Sequence, residues 1–187
     1  MANSLKESVT SIAKCLDDRF EIVIVDDGST DNSVDVIKQL KLDFNNIRLI
    51  ELKRSKYRRL GKTRNISIEN ARGKYVLLHI DCDDIYEDYI KEFVEVFHLL
   101  EPIIQDGFLL KGQQINMGQK NFLLKHGPYR NIFYTEDRDL WIRMASLNKL
   151  IMLNHKLFRE RMPINKTKKL YKDIFYTYKI LKQNFET

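Results

Sequence analysis

The sequence predicts an α/β fold, a Rossmann-like and mostly parallel sheet flanked by helices. Strand-like and helix-like segments alternate through the first hundred residues, the pattern of a parallel sheet with helical crossovers. The strand-like segments are continuous apolar runs rich in β-branched residues, which suits strands covered on both faces. Acidic residues follow two of these runs directly, and open α/β sheets place ligands beyond the carboxyl ends of their strands.

Each element has its own reason. Leu5 to Ile12 has the spacing of a helix. Glu21-Ile22-Val23-Ile24-Val25 is a buried strand by composition. Asp31 and Asn32 can cap a helix carrying Val34, Ile37 and Leu40. Ile47 to Leu52 reads as a second strand, Gly61 to Ala71 as a helix ended by Gly73, and Tyr75 to Ile80 as a third strand. Tyr86 to Leu100 reads as a helix with Ile90, Phe93, Val94 and Phe97 on one face. Phe108 to Met117 is strand-rich, Glu136 to Leu147 helical, and a short strand is expected near Ile151. A last helix is expected from Lys166 to Gln183.

The chain of 187 residues is long enough for one domain with a real core. No apolar run approaches the ~20 residues of a membrane-spanning helix, and no leader peptide is visible. Cys15 and Cys82 have neither metal-ligand nor redox spacing, so a reducing, cytoplasmic setting is expected. The net charge of +6 is uneven. Residues 155–187 hold nine Lys/Arg and three Asp/Glu, whereas the preceding 154 hold 23 of each. The expected organisation is therefore a catalytic-type domain over 1–154 and a basic, amphipathic, helical tail over 155–187. In that tail Leu170, Ile174, Tyr178 and Leu181 form one stripe, with Lys168, Lys172, Lys179 and Lys182 opposite. Its plain role is packing on the domain. Its functional role would be peripheral contact with an anionic membrane at the inner face.

Four constellations carry chemistry. In Val25-Asp26-Asp27-Gly28-Ser29-Thr30-Asp31, a strand end opens into a helix; Asp26 and Asp27 can accept hydrogen bonds from a nucleobase or ribose, and Gly28 allows a tight turn. Lys53 to Asn65 holds seven basic residues and no acid, and leads into a helix start that attracts phosphate. Asp81, Asp83 and Asp84 place three carboxylates within four residues. Such like charges repel, and a hard divalent cation, Mg2+ or Mn2+, relieves the conflict. The plainer reading is an acidic turn. In Thr135-Glu136-Asp137-Arg138-Asp139-Leu140-Trp141, Thr135 can cap a helix whose first-turn acids suit its dipole, and a carboxylate there can also act as a general base.

Together these four resemble the family 2 glycosyltransferases of the GT-A fold. The family's Asp-Asp-Gly-Ser turn stands as Asp26-Asp27-Gly28-Ser29, and its Ala-Arg-Asn helix as Thr63-Arg64-Asn65. Its Asp-x-Asp motif stands as Asp81-Cys82-Asp83, and its Glu-Asp…Leu-Trp-x-Arg helix as Glu136-Asp137…Leu140-Trp141-Ile142-Arg143. The resemblance runs from about Leu5 to about Leu153. It implies a nucleotide-diphospho-sugar donor, a glycan or lipid-linked hydroxyl acceptor, and inversion at the anomeric carbon. It also implies that Asp26 or Asp27 contacts the base and that Arg64 lies near the base or diphosphate. Asp81 would hold the ribose, Asp83 the metal, and Asp137 would deprotonate the acceptor. Glu136 joins the substrate-binding set.

The resemblance also implies an opening strand with a Pro-x-Tyr-Asn-like turn, which this sequence does not show. The fold is therefore expected to be N-terminally truncated, with the strands at 21–25 and 75–80 lacking a neighbour between them. That absence sets the alternative, a catalytically impaired module that binds a partner or membrane. A dehalogenase-like phosphatase would want Thr or Val where Ile85 stands. A nucleic-acid binder would want a basic face, which the balanced charge of residues 1–154 argues against.

Overall fold

The computed structural model describes residues 2–78, 80–82, 84–112, 115–132, 134–153 and 159–161. The helix expected at 166–183 lies outside the described residues. Six helices, α1 (Ala2–Cys15), α2 (Ser33–Asp43), α3 (Leu60–Asn70), α4 (Tyr89–Leu100), α5 (Lys120–His126) and α6 (Glu136–Ser146), alternate with eight strands among these residues. The strands are β1 (Ile22–Asp26), β2 (Ile47–Glu51), β3 (Tyr75–Leu78), β4 (Asp84–Tyr86), β5 (Leu109–Lys111), β6 (Asn116–Gln119), β7 (Leu150–Met152) and β8 (Arg159–Arg161).

The strands form three separate sheets. β1 pairs with β2 in parallel, with Ile22 opposite Ile47 and Asp26 opposite Glu51. A second sheet has the order β3-β6-β5-β7, in which β6 is antiparallel to both β3 and β5 while β5 and β7 are parallel. β4 and β8 form an antiparallel pair, with Asp84 opposite Arg161 and Tyr86 opposite Arg159. β1 and β3 each end a sheet and share no ladder with one another.

Three apolar clusters hold these parts together. α4 places Ile90, Phe93 and Phe97 against Phe108, Leu110, Ile115 and Met117, with Phe97 and Phe108 stacked at 4.6 Å between centroids. The i, i+3, i+7 spacing on α4 is what directs these three side chains to one side. On the other face of the second sheet, Ile68, Leu78, Leu109, Phe122, Leu123, Leu140 and Met144 pack around Tyr129. Leu5 and Val9 of α1 meet Ile37, Leu40 and Ile47 over the first sheet.

Two helices cross between the sheets. α1 packs Leu5 and Val9 near Ile22 and Ile24, and Ile12 near Tyr75 and Leu77. α3 lies against β1 on the opposite face and buries Ile68 beside Val76 and Leu78. Both strands thus lie beneath the same pair of helices.

Candidate functional site

The carboxyl ends of β1 and β3 converge on the start of α3. Asp26 is buried, and its carboxylate accepts hydrogen bonds from the N–H groups of Gly28 at 3.1 Å and Ser29 at 3.1 Å. The turn needs glycine, because Gly28 has φ +77° and a Cβ there would sit 2.7 Å from the Arg54 backbone nitrogen. Asp27 accepts from Arg58 Nε at 2.7 Å and from Thr63 Oγ1 at 3.2 Å. The basic loop expected to attract phosphate therefore commits Arg58 to Asp27.

Arg64, one turn into α3, faces two acids at once. Its Nη2 lies 3.2 Å from Asp81 Oδ1 and its Nε 3.3 Å from Glu136 Oε1. The guanidinium carbon sits 5.6 Å from the centre of the Tyr129 ring. Burial raises the pKa of Glu136, with Arg64 pulling the other way. Burial also pushes the Tyr129 phenol up to about 12 against the opposing charge of Arg64. Arg64 itself is held above its usual value; burial works against this, but Tyr129, Asp81 and Glu136 outweigh it.

Asp81 is anchored through its backbone, which leaves its carboxylate at the crevice. Its N–H donates to Tyr86 Oη at 2.9 Å, and its carbonyl accepts from the same hydroxyl at 3.1 Å and from Ser8 Oγ at 3.1 Å. Asp84, one of the three expected acids, is fully buried in β4. The acidic run thus divides, with Asp81 half-exposed in the turn after β3 and Asp84 buried within β4. Asp83, the expected metal ligand, lies outside the described residues. Among the described residues no group of three His, Cys, Asp or Glu side chains is placed to hold a metal.

Glu136 and Asp137 open α6, as expected. Thr135 occupies the cap position with φ 61°, and its hydroxyl bonds the Tyr134 carbonyl at 2.7 Å rather than a helix N–H. The side-chain cap expected of Thr135 is not formed. A β-branched residue in the left-handed region carries strain of roughly 1–3 kcal/mol, which the surrounding packing must offset. Asp137 is half-buried, and its Oδ1 accepts from the Arg138 N–H at 2.8 Å.

Sequence reasoning missed three contributors. Tyr129 packs under Arg64, and Tyr86 pins Asp81. Lys111 ends β5 with its Nζ 4.3 Å from the Trp141 ring centre. Burial lowers the Lys111 pKa, while the nearby Asp137 charge opposes that shift. Nothing local in the sequence ties Tyr129 to Arg64. A cavity of about 810 Å3 lined by Phe97, Glu101, Phe108, Gln119 and Phe122 shares no residue with these carboxylates.

Comparison with known proteins agrees with this layout. Residues 2–159 match the model of Glycosyl transferase family 2. The chain is 37% identical over 82 residues to a poly(ribitol-phosphate) beta-glucosyltransferase of Bacillus spizizenii, covering 39% of this chain and 13% of that protein. It is 33% identical over 88 residues to the glycosyltransferase GlyG of Streptococcus pneumoniae, covering 47% and 28%. These matches span well under two thirds of the relatives' own lengths. Among solved structures, S. aureus TarS 1–349 superposes with a TM-score of 0.65 at 19% identity, covering 85% of this chain and 57% of that one. A mannosyltransferase from Pyrobaculum calidifontis, in complex with GDP-Man and Mn2+, superposes with a TM-score of 0.69 at 15% identity, covering 87% and 54%. The α/β architecture is that of the GT-A fold.

Proposed function

The chain belongs to glycosyl transferase family 2, and from that premise we propose that it moves a sugar from a nucleotide-diphospho-sugar to a hydroxyl of a glycan or lipid-linked acceptor, inverting the anomeric carbon. The observation that carries this reading is the ion-pair chain Asp81–Arg64–Glu136, which joins the end of β3 to the head of α6. In this reading the chain of ion pairs holds Asp81 and Glu136, the neighbour of Asp137, at one wall of the site.

In this reading Asp26 and Asp27 form the floor for the base, and Asp81 meets the ribose. Arg64 and Glu136 hold that wall in place. Asp137 accepts the proton of the acceptor hydroxyl, a role suited to a carboxylate that is neither fully buried nor free in water. Burial lowers the Lys111 pKa and the Asp137 charge opposes it, so Lys111 lies within electrostatic reach of this carboxylate. Asp83 offers oxygen donors of the type a hard cation takes and would hold Mg2+ or Mn2+. When bound, such a cation neutralises the charge that develops on the leaving diphosphate. The Mn2+ and GDP-Man carried by the mannosyltransferase of the same fold support this assignment.

The test is calorimetric titration with UDP and GDP, with and without Mn2+, on the natural chain and on Asp137→Asn. Metal-dependent binding is expected in both, with transfer lower by about 10²–10⁴-fold in the variant. Normal turnover by Asp137→Asn removes it as the base. A second reading, a catalytically impaired module that binds a partner or a membrane surface, is favoured by the interruption between β1 and β3. It expects neither nucleotide to bind a chain shown to be folded.

A further inference from the structure

We infer that residues 53–59, the first turn of α3 and the adjoining Arg130 form a docking surface for an acidic glycan, a chain of sugar rings that carry carboxylates. From Lys53 to Arg64 the sequence places seven cations and no acid, and the structure sorts them. Arg58 is held by Asp27, and Arg64 by Asp81 and Glu136. Lys53, Arg54, Lys56 and Lys62 are exposed and make no ion pair among the described residues. The carboxylates beside them are engaged elsewhere: Asp27 with Arg58 and Thr63, Glu51 with Lys38, and Asp139 with Arg130 and Arg143. Like charges gathered in this way repel one another and draw an anion.

The patch is also fixed in shape. Ser55 accepts the Tyr57 N–H through its hydroxyl and the Arg58 N–H through its carbonyl, both at 3.3 Å. Asn131 accepts the Arg59 N–H and donates to the Tyr57 carbonyl, both at 2.9 Å. Gly61 lets α3 abut the Arg130 carbonyl. A loop tied down at these points loses little conformational freedom when a ligand settles on it.

One exposed aromatic ring selects the ligand. Tyr57 is 74% exposed, and Lys56 Nζ lies 5.1 Å from its ring centre. A sugar presents an apolar face of C–H groups to such a ring while its rim stays polar. In a carboxylated sugar the charge rides on the stacked ring itself, within reach of the ammonium beside Tyr57. In a phosphodiester-linked chain the charge falls between the units. A bilayer would want a broader apolar surface than Tyr57 and Leu60 supply. A nucleic acid would want a basic face, whereas residues 1–154 balance at 23 of each sign. Arg58 joins this loop to Asp27, so a bound glycan lies beside the candidate site. On the function proposed above, that glycan is the acceptor; its docking does not depend on that reading.

The test is calorimetric titration of the full chain, shown to be folded by circular dichroism, with a galacturonate hexamer at low salt and without nucleotide. Binding is expected, and it should weaken as salt rises. Tyr57→Ala should lower the affinity about fivefold or more, and Lys56→Gln should lower it and lessen its salt dependence. A neutral galactose hexamer, a short polyphosphate, a short single-stranded DNA and phosphatidylglycerol vesicles should each bind more weakly. No binding of the galacturonate hexamer, equal binding of the neutral hexamer, or unchanged affinity in both variants overturns the inference. Tighter binding of polyphosphate, DNA or vesicles overturns it too. UDP and GDP titrated into the same preparation keep the two readings apart. Nucleotide binding without glycan binding removes the docking surface alone. Glycan binding without nucleotide binding leaves the surface standing and removes the transfer reading.

Discussion

Arg64 carries one positive charge and meets two carboxylates, and the consequences differ for each. Asp81 keeps contact with water, whereas the Glu136 side chain is 7% exposed and pairs with Arg64. Removing the cation strands the buried acid, so Arg64→Ala is expected to cost on the order of 3 kcal/mol in urea unfolding. Glu136 also gives a signature in pH. Its folded pKa is raised above the usual 4.5 by burial, so the folded chain holds this proton more tightly than the unfolded chain does. Its contribution to stability is complete below pH 4.5 and is lost as pH rises through the elevated folded value. Glu136→Gln should remove that loss, and unfolding midpoints measured across a pH series will show a flatter profile for the variant. An unaltered slope means another group titrates there.

The contact between α3 and the segment preceding α6 rests on two asparagines and a glycine. Asn65 donates to the Tyr129 carbonyl at 2.7 Å and accepts the Tyr129 N–H at 2.8 Å, so one side chain satisfies both backbone groups of that residue. Asn131 does the same for the entry to α3, accepting the Arg59 N–H and donating to the Tyr57 carbonyl, both at 2.9 Å. Gly61 lets the elements touch, since a Cβ there would lie 2.2 Å from the Arg130 carbonyl oxygen. Asn65→Ala leaves two backbone groups without their partner and is expected to cost about 2–3 kcal/mol. Gly61→Ala should cost about 1–3 kcal/mol by forcing α3 off the segment. Chemical denaturation measures both, and nucleotide affinity should fall with them because Arg64 rides on α3. These ties explain what the sequence could disclose. The α2 and α3 spans, and the strands at 22–26 and 47–51, were legible because their periodicity and β-branched runs are local. β4 was not, because Asp84-Ile85-Tyr86 is too short to show a period, and the sequence places Asp84 in an acidic turn and Tyr86 at the start of the helix. α5 was hidden behind β6 for the same reason. Asp81, Arg64 and Glu136 were each legible as site residues, but their mutual pairing spans 17 and 72 positions and follows only from the packing that seats Tyr129 between α3 and α6.

The largest apolar cluster centres on Phe93, Phe97 and Phe108 and includes Tyr86, which holds the Asp81 backbone. Phe97→Ala is expected to lower stability by about 3–5 kcal/mol. Nucleotide affinity of the remaining folded protein should not move, and a joint loss would mean the cluster sets the site geometry. The interrupted sheet governs the molecule as a whole in a different way. Hydrogen-bonded strands ordinarily carry an unfolding event from one edge of a sheet to the other, but here that transmission stops at β1. α2, β1 and β2 have an apolar cluster of their own, and side-chain packing from α1 and α3 joins them to the second sheet. Melting should then be poorly cooperative, with a calorimetric enthalpy larger than the van't Hoff value. The smaller part should open first, carrying Asp26 and Asp27 away from Asp81 while most helical signal persists. Nucleotide binding would accordingly vanish on warming before the chain as a whole unfolds.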